Sequence, residues 1–549
     1  MPTLDDARAA LNRYFGYADF RRGQVDVVGS VLAGRDTLGV LPTGGGKSLC
    51  YQVPALVFTG MTVVISPLIS LMKDQVDRLE QLGIPATFLN STLDPNEVTR
   101  RMSRARRGEV KLLYVAPERF EAADLNRCLA SCRVSLLAVD EAHCISEWGH
   151  EFRPSFRRIA QVAGGLRIPQ TMALTATATP IVRQDIAVQL RLRRPRVIVA
   201  GFDRANLSYA VQSCRDDVER QAHLIDTLRS HDQPAIVYAP TRASVERVCR
   251  RVARAGIRTL PYHGGLTDDH RLEVQETFVA GAVDCLVATN AFGMGIDKPN
   301  VRLVVHAGMP GTLEAYYQEA GRAGRDGNPG RCVLLYTADD RCTHEFFIAR
   351  MFPRRRDVER AYADARRSHI DGVVVRLDSA IAQFLATTGA IVRSGSPSPT
   401  TRIRLLATPA RIERELPAAS AERRLLRRLW QRSGGTIQDG APVDLSRLEG
   451  RESASDAKLI LERLQQRQFL HVDANDRRWR LCDPAAPLER FGIDWTAVER
   501  RAVSERAKLD AMEAYARTRE CRRAFVLRYF GERVTRARCN GCDNCRAAV

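Results

Sequence analysis

The sequence predicts an α/β protein with two parallel-sheet lobes, followed by a mainly helical region and a small cysteine-rich module. Three observations lead to this fold class. Short apolar runs alternate with helical stretches over the first 340 residues, and the alternation starts again after about residue 200. Beyond about residue 350, helical stretches rich in arginine and leucine dominate. Four of the 14 cysteines lie in the last 29 residues.

The length and charge of the chain narrow its class further. A chain of 549 residues is too long for one compact core, so several domains are expected. The formal net charge of +19 predicts a polyanionic partner. Residues 351–549 carry about two-thirds of this excess. Arginine greatly outnumbers lysine, as is typical of a GC-rich genome, but Lys47 and Lys298 both lie inside motifs described below.

The two lobes are predicted from their strands. In residues 1–200, the runs 61–66 (MTVVIS), 111–115 (KLLYV) and 136–139 (LLAV) are apolar and separated by helical stretches. Strands of this kind belong to parallel sheets that are covered on both faces. In residues 201–345 the pattern repeats, with runs such as AIVY, VDCLVA and LVVH. The sequence therefore predicts one α/β lobe in each of these ranges.

The third region, residues 346–505, is predicted to be basic and to resemble a winged helix. Helical stretches at 421–430 and 455–466 are followed by apolar runs at 469–472 and 479–481, with a turn between the two runs. Two helices followed by a hairpin is the order of a winged-helix unit. A weaker candidate for the same unit is the helical stretch at 377–385 with its following strand.

A glycine-rich segment at 41–48 (LPTGGGKS) follows the strand-like run TLGV and precedes a helical stretch. Glycines at a strand-to-helix turn let backbone N–H groups converge on phosphate oxygens. Lys47 would bridge the β- and γ-phosphates of ATP, and Ser48 would bind Mg²⁺. The predicted nucleotide contacts in this segment are Thr43, Gly44, Gly45, Gly46, Lys47 and Ser48.

Two adjacent carboxylates follow a buried strand at residues 140–143 (DEAH). Asp140 at the strand end can hold Mg²⁺, and Glu141 can act as the general base toward the attacking water. A carboxylate pair alone often marks the start of a capped helix. Because this pair follows a phosphate-binding loop by 93 residues, we interpret it as the second half of the same nucleotide site.

The segment 318–327 (QEAGRAGRDG) places Arg322 and Arg325 three residues apart on a glycine-rich scaffold, with Gln318 at its start. A guanidinium can grip phosphate oxygens and neutralise the charge that develops during phosphoryl transfer. Because the segment belongs to the second predicted lobe, ATP hydrolysis would depend on closure between the lobes. Two further segments, 174–179 and 287–298, end predicted strands with hydroxyl or glycine residues and could contact nucleotide or nucleic acid.

Aromatic residues directly follow the carboxylate pair, at 144–156 (CISEWGHEFRPSF). Trp148 and Phe152 offer ring faces on which single-stranded bases can stack. Arg153 adds a phosphate or cation–π contact, and His150 lies between the two rings. Trp and Phe are more often core residues, but at this position we interpret them as a DNA-binding loop whose occupancy Glu141 can sense.

Cys521 precedes the tail segment CNGCDNC, which contains Cys539, Cys542 and Cys545. Four thiolates at this spacing can close a tetrahedral Zn²⁺ site. No ligand position remains open, so the predicted role of the metal is structural. The predicted zinc module comprises residues 506–549.

These motifs, in this order, resemble the RecQ family of superfamily 2 DNA helicases. The resemblance covers residues 11 to about 340 and the C-terminal cysteines. It implies that both lobes have the RecA-like fold. It also implies that Tyr17 and Arg21 sandwich the adenine, that Gln24 reads its edge, and that Arg325 is the arginine finger. Leu41 replaces the usual first glycine of the phosphate-binding loop, a position that superfamily 2 helicases commonly relax.

The resemblance implies an ATP- and Mg²⁺-dependent DNA helicase with 3′-to-5′ polarity in recombination and repair. Its expected partners are single-stranded and tailed duplex DNA, with a single-strand-binding protein or recombination proteins beside them. One departure matters, because family members usually place the zinc module directly after the second lobe. Here about 170 residues intervene, so strand-separating and duplex-binding residues cannot be transferred.

Two alternatives remain open from the residues alone: an ATP-switched DNA-binding or strand-annealing protein that does not unwind, and an RNA helicase. The chain shows no basic-then-apolar leader and no run near 18 apolar residues. We therefore expect a soluble, cytoplasmic, nucleoid-associated protein that does not contact the membrane. The sequence does not predict an oligomeric state.

Overall fold

The computed structural model describes most of the chain, and it divides into two compact units. The first unit comprises Met1–Pro240, Val252–Ala338 and Lys508–Val549, and the second comprises Thr241–Arg251 and Asp339–Ala507. The described residues are 2–42, 44–120, 122–149, 153–166, 168–293, 298–369, 373–374, 377–393, 400–433, 435–438, 440–444, 460–461, 463–465, 467–473, 479–535 and 538–546.

The first lobe is built on a sheet of seven described strands, and all of its described strand pairs are parallel. The strands are β1 (Thr37–Val40), β2 (Met61–Ile65), β3 (Ala86–Leu89), β4 (Leu112–Val115), β5 (Val134–Val139), β6 (Thr171–Thr175) and β7 (Arg196–Val199). They are ordered β3-β4-β2-β5-β6-β1-β7. The predicted apolar strands are confirmed, and the inner ones are buried because helices cover both sheet faces.

The helices of this lobe bury one face against the sheet. The first helix begins with a capping box, in which Thr3 and Asp6 exchange side-chain-to-backbone hydrogen bonds. The described α-helices of the first lobe are Leu4–Phe15, Gln24–Leu32, Leu49–Val57, Ile69–Gln81, Pro95–Arg106, Pro117–Phe120, Ala123–Ala130, Ile159–Gly165 and Pro180–Gln189. Two 3₁₀ turns lie at Ala142–Ile145 and Pro154–Arg158.

The second lobe repeats this plan with six strands in the described part of the chain, again paired in parallel. They are β8 (Leu207–Ser213), β9 (Ala235–Tyr238), β10 (Thr259–Tyr262), β11 (Cys285–Ala288), β12 (Leu303–His306) and β13 (Gly330–Tyr336), in the order β10-β11-β9-β12-β13-β8. The helices that follow these strands are Asp217–Arg229, Arg242–Arg254, Asp268–Val279, Leu313–Ala320 and Asp340–Met351.

The region after the lobes contains two small modules, each with a three-stranded antiparallel sheet. One sheet has the order β14-β19-β15 and the other β17-β16-β18. The strands are β14 (Val373–Val374), β15 (Ile391–Arg393), β16 (Thr400–Leu405), β17 (Ala441–Asp444), β18 (Leu470–Asp473) and β19 (Trp479–Leu481). The helices are Arg355–Ser368, Ser379–Thr387, Pro409–Glu415 and Ala421–Arg432, with a 3₁₀ turn at Thr436–Gln438.

The predicted hairpin of the winged-helix unit is wrong. β18 pairs with β16, while β19 pairs with β15 and β14, so these two consecutive strands belong to different sheets. The second module is thus inserted between the neighbouring strands β15 and β19 of the first. Its core is separate, with Leu425, Leu429 and Phe469 buried together, because the return strand packs Trp479 and Leu481 into the first module's core instead.

The chain ends in the 3₁₀ turn Leu488–Phe491, the long helix Trp495–Arg517, the helix Arg522–Tyr529 and the short helix Asp543–Arg546. The predicted domain boundaries at 345/346 and 505/506 fall inside the helices Asp340–Met351 and Trp495–Arg517. Among the described helices, none combines the length and apolarity that a membrane span requires.

Candidate active site and metal centre

The predicted nucleotide residues lie at the carboxyl ends of three adjacent strands, β5, β6 and β1. Ligand sites in parallel α/β sheets form at this edge. Gly44 and Gly46 follow β1 with φ angles of +78° and +70°, a backbone conformation that favours glycine. A Cβ on Gly46 would lie 2.5 Å from Gln24 Nε2, so a larger residue there would have to displace the Gln24 amide. Thr43 lies outside the described residues.

The predicted adenine-binding residues contact the phosphate-binding loop directly. Gln24 is buried, and its Nε2 donates to the carbonyl oxygens of Gly45 and Gly46, each at 2.9 Å. Arg21 donates to the carbonyl of Gly44 at 2.9 Å, while the Tyr17 ring is 52% exposed. It stays a prediction that Gln24 reads the adenine edge. To do so, Gln24 would have to exchange its two hydrogen bonds to the loop carbonyls for hydrogen bonds to the base.

The carboxylate pair faces the loop lysine. Lys47 Nζ lies 4.0 Å from Glu141 Oε1. Glu141 has a φ angle of +46°, a left-handed backbone conformation that is rare for a residue with a side chain. Burial and the neighbouring Glu141 raise the pKa of Asp140 to about 6. A buried carboxylate of this kind gains most from a cation, which fits the predicted Mg²⁺ contact.

A chain of side-chain contacts runs from Glu141 to the second lobe. His143 Nδ1 lies 3.4 Å from Glu141 Oε2 and 3.0 Å from Thr175 Oγ1. The Thr177 amide donates to Thr175 Oγ1 at 3.2 Å. Gln318 Nε2 then donates to Thr177 Oγ1 at 3.2 Å. The alternating threonines therefore connect the predicted general base with the arginine-bearing segment.

The two predicted phosphate arginines reach this site from the second lobe. A Cβ placed on Gly44 would lie 3.4 Å from Arg325 Cγ, so the Arg325 side chain lies against the phosphate-binding loop. Arg322 is only 6% exposed, and its Nε has no hydrogen-bond partner among the described residues. A buried guanidinium with an unused donor fits a phosphate oxygen.

Sequence reasoning missed the residues that hold these arginines in place. Arg204 donates to the carbonyl oxygens of Gly321, Ala323 and Gly324 at 3.0 to 3.1 Å. Asn206 donates to the Gly324 carbonyl at 2.8 Å. Both residues lie where the chain enters the second lobe. A single arginine in an arginine-rich chain gives no local signal, and a single asparagine gives none either. Neither Arg204 nor Asn206 could therefore be found from the motifs.

The aromatic-rich loop is anchored to the first lobe. Trp148 is 38% exposed, its amide donates to Ser146 Oγ at 3.2 Å, and Ser146 Oγ donates to Asp185 Oδ2 at 2.6 Å. Arg153 donates through its Nη1 to the Pro67 carbonyl at 2.9 Å. The described contact of Arg153 is thus structural, and its phosphate contact stays a prediction. His150 and Phe152 lie outside the described residues.

The segment after β11 is only partly described, since residues 294–297 fall outside the described residues. Thr289 is buried, and its Oγ1 accepts from the Ala291 amide at 3.3 Å. Lys298 is also buried, donates to the Val279 carbonyl at 3.1 Å and lies over the Phe278 ring. These contacts give Lys298 a role in holding the loop rather than in binding phosphate.

The four predicted zinc ligands come together in the structure. The sulfurs of Cys521, Cys539, Cys542 and Cys545 all lie within 4.8 Å of one another. Zn–S bonds of about 2.3 Å place tetrahedral sulfurs about 3.8 Å apart, so this set fits zinc after small adjustments. Backbone amides contact two of the sulfurs. The Cys539 amide nitrogen lies 3.5 Å from the Cys545 sulfur, and the Gly541 amide nitrogen lies 3.4 Å from the Cys539 sulfur.

The zinc module is attached to the second lobe. Asp543 Oδ2 accepts from the Val211 amide at 2.8 Å, and Asp543 Oδ1 accepts from buried Arg522 at 2.6 Å. The Phe530 ring stacks on Phe202 at 4.5 Å between centroids, and Glu532 accepts from the Phe202 amide. Phe202 lies between β7 and β8, so the module holds the segment that joins the two lobes.

Comparison with known families identifies three matching regions. Residues 21–186 match the DEAD/DEAH box helicase family, and residues 219–327 match the helicase conserved C-terminal domain. Residues 486–546 match the RecQ zinc-binding family. The matches follow the two lobes and the cysteine cluster.

Two curated relatives are similar to this chain over 63% and 65% of its length. The ATP-dependent DNA helicase RecQ of Bacillus subtilis is 47% identical over 349 residues, which are 63% of this chain and 58% of the relative. The protein of the same name from Pasteurella multocida is 42% identical over 65% of this chain and 57% of its own. The chain thus spans just over half the length of these relatives.

Solved structures share the fold at low identity. The DUF1998 helicase MrfA, bound to DNA and AMPPNP, aligns with a TM-score of 0.52 at 19% identity, covering 72% of this chain and 61% of its own. S. cerevisiae Dbp5, bound to RNA and ADP BeF3, aligns with a TM-score of 0.51 at 16% identity, covering 64% of this chain and 93% of its own. The three family matches and the RecQ relatives at 42–47% identity make the chain similar to RecQ-family helicases in its two lobes and its cysteine cluster.

Proposed function

We propose that the chain is an ATP-dependent DNA helicase that translocates 3′-to-5′ on single-stranded DNA and unwinds duplex DNA in recombination and repair. One observation carries the proposal most strongly. The phosphate-binding loop, with Lys47 4.0 Å from Glu141, lies against Arg325 of the other lobe. A hydrolysis site assembled from two lobes can couple each ATP to a movement between them.

Each residue of the site has a defined role in hydrolysis. Bound Mg²⁺–ATP supplies the phosphoryl group whose transfer to water releases energy. Lys47 and the loop amides would hold the phosphates, while Ser48 and Asp140 would hold the metal. Glu141 positions the water and accepts its proton, after Lys47 has left Glu141 for the phosphates. Arg322 and Arg325 neutralise the charge that develops on the transferring group.

Movement along DNA follows from the same arrangement. When the lobes close, Gln318 and Arg325 move with the second lobe toward the loop of the first. The proposed DNA contacts lie at the start of helix Ile69–Gln81 in the first lobe and from Thr289 onward in the second lobe. A change in the distance between the lobes therefore moves one set of strand contacts relative to the other. The exposed Trp148 ring adds a base-stacking surface in the loop that follows Glu141 in the sequence.

DNA is the favoured polymer. The curated relatives above are named as DNA helicases, and the net charge of +19 suits a phosphate backbone. Single-stranded and tailed duplex DNA are the proposed substrates, with single-strand-binding or recombination proteins as partners. The proposed domains are 1–200, 201–345, 346–505 and 506–549, and the proposed location is the cytoplasm, on the nucleoid.

The proposal is tested by ATP turnover with no nucleic acid, with single-stranded DNA, with duplex DNA and with RNA. Single-stranded DNA should stimulate turnover most. Lys47→Ala should lower turnover by at least about 100-fold and keep DNA binding, because Lys47 is proposed to bind the nucleotide phosphates and not the DNA. Near-normal turnover of this variant would contradict the site. Stronger stimulation by RNA than by DNA would favour the RNA helicase alternative.

A further inference from the structure

A buried lysine from the C-terminal helix contacts the DNA-sensing loop. Lys508 lies in the helix Trp495–Arg517 and is only 7% exposed. Its Nζ donates to the backbone carbonyl of Gly149 at 2.8 Å. Gly149 directly follows Trp148, the base-stacking residue of the loop. The two ends of this contact are 359 positions apart in the sequence.

The peptide that Lys508 holds is packed against the catalytic segment. The Gly149 amide donates to the Ser146 carbonyl at 3.0 Å. A Cβ on Gly149 would lie 2.4 Å from the carbonyl oxygen of His143, so the two backbones touch and only glycine fits. His143 in turn lies 3.4 Å from Glu141. A displacement of Gly149 would therefore move His143, which lies beside Glu141, the proposed general base.

The helix that carries Lys508 is fixed to the other lobe. Tyr515 donates its hydroxyl hydrogen to the Tyr316 hydroxyl at 2.9 Å, and both rings are buried. Tyr336 of β13 donates to Glu513 at 3.1 Å and accepts from Arg517 at 3.0 Å. Lys508 thus extends from a helix bound to the second lobe to a loop of the first.

The choice of lysine has a physical reason. The chain contains six lysines against 77 arginines, so a buried lysine in its C-terminal half stands out. An ammonium is a compact donor on a flexible stem, whereas a guanidinium brings five donors in a rigid plane. A compact ammonium suits the buried contact with the Gly149 carbonyl. Lys508 therefore belongs with Lys47 and Lys298 as a position where arginine would not do the same work.

We infer that Lys508 is a positioning residue that couples lobe movement to the DNA-sensing loop. Its ammonium holds the Gly149 carbonyl, and so it sets where Trp148 and the adjoining catalytic segment lie as the lobes close. The inference rests on the proposed function, since it concerns how DNA stimulates ATP turnover. It assigns the C-terminal helix a part in that coupling beyond its support of the zinc module.

The test compares Lys508→Met with Lys111→Met. Lys111 also donates to a backbone carbonyl, that of Phe58 at 2.7 Å, but lies in the first lobe away from the loop. With full-length protein, Lys508→Met should lower the DNA-saturated kcat at least fivefold while the DNA concentration for half-stimulation changes less than twofold. Lys111→Met should leave stimulation unchanged even if its melting temperature falls.

Two further measurements make the result decisive. DNA binding should change the tryptophan fluorescence of the wild-type protein, and this change should be lost in Trp148→Phe. In Lys508→Met the midpoint of the change should stay the same, while its amplitude should differ. Lys508→Arg, which keeps the charge, should recover less than half of the stimulation. Unaltered stimulation in Lys508→Met would overturn the inference. Absence of stimulation in the wild-type protein would instead overturn the proposed function, so the two failures are distinguishable.

Discussion

The side-chain amide of Gln318 donates a hydrogen bond to the hydroxyl oxygen of Thr177 at 3.2 Å, and this bond connects the two lobes. Thr177 continues through Thr175 and His143 to Glu141. The segment that presents Arg322 and Arg325 is therefore joined to Glu141, the proposed general base, by protein contacts alone. A bond in this position can report the position of one lobe to the catalytic carboxylate of the other.

Gln318→Ala should lower kcat for ATP about fivefold, the equivalent of roughly 1 kcal/mol for one hydrogen bond. The KM for ATP should change little, because the described contact of Gln318 is to Thr177. Thr177→Val should have a similar effect. Steady-state kinetics of the double variant should show no further loss, and fully additive losses would show that the two residues act separately.

Asp140 should limit the stability of the nucleotide-free protein. Its folded-state pKa of about 6 lies above the ordinary value of 3.8. Folding is therefore penalised above about pH 6, where the carboxyl is ionised in both states, and the penalty disappears as the pH falls below 3.8. Each unit of pKa shift corresponds to about 1.4 kcal/mol, so the penalty is on the order of 1–3 kcal/mol.

Asp140→Asn should accordingly raise the melting temperature at pH 7.5, without nucleotide or added magnesium, and abolish ATP turnover. The exposed Asp77 provides the matched control, and Asp77→Asn should not change the melting temperature measurably. The gain from Asp140→Asn should shrink when both proteins are melted at pH 5. A variant that melts below the wild type at pH 7.5 would contradict the assigned burial cost.

Trp148→Ala should separate DNA binding from DNA-stimulated ATP turnover. Loss of one stacked base costs about 1–3 kcal/mol at most, whereas loss of the ring removes the base-stacking surface through which the loop is proposed to sense DNA. Trp430 serves as the control because it is similarly exposed but lies in the helix Ala421–Arg432. Full stimulation in Trp148→Ala, measured at saturating DNA, would mean that the loop has only a structural role.

Cys542→Ala should remove the metal and loosen the tail without abolishing the basal turnover of the two lobes. The intact protein should hold about one zinc per chain by elemental analysis. Metal binding supplies much of the folding free energy of small zinc modules, on the order of 10 kcal/mol. The first sign of loss should be protease cleavage near Phe530, which stacks on Phe202. Zinc-free wild-type protein, purified without chelators, would contradict the site.

Local sequence patterns predict much of the fold and of the candidate site. Short, regular signatures predict the strands beside the phosphate-binding loop and beside the DEAH segment. The spacing of the four cysteines likewise predicts the metal site. The predicted hairpin was wrong because β19 pairs with β15, which lies about 88 positions earlier in the sequence, and no local pattern reveals such a pairing. Lys508 and Arg204 were missed for a related reason. Each is one basic residue in a basic chain, and only the fold shows that it contacts a distant backbone carbonyl.

The central claim is that ATP hydrolysis between the two lobes drives the chain along single-stranded DNA in one direction. The most direct measurement is unwinding of two matched duplexes, one with a 3′ single-stranded tail and one with a 5′ tail. The wild-type protein with ATP and Mg²⁺ should unwind the 3′-tailed duplex and leave the 5′-tailed one, and Lys47→Ala should unwind neither. Unwinding without ATP, or by Lys47→Ala at the wild-type rate, would contradict the claim.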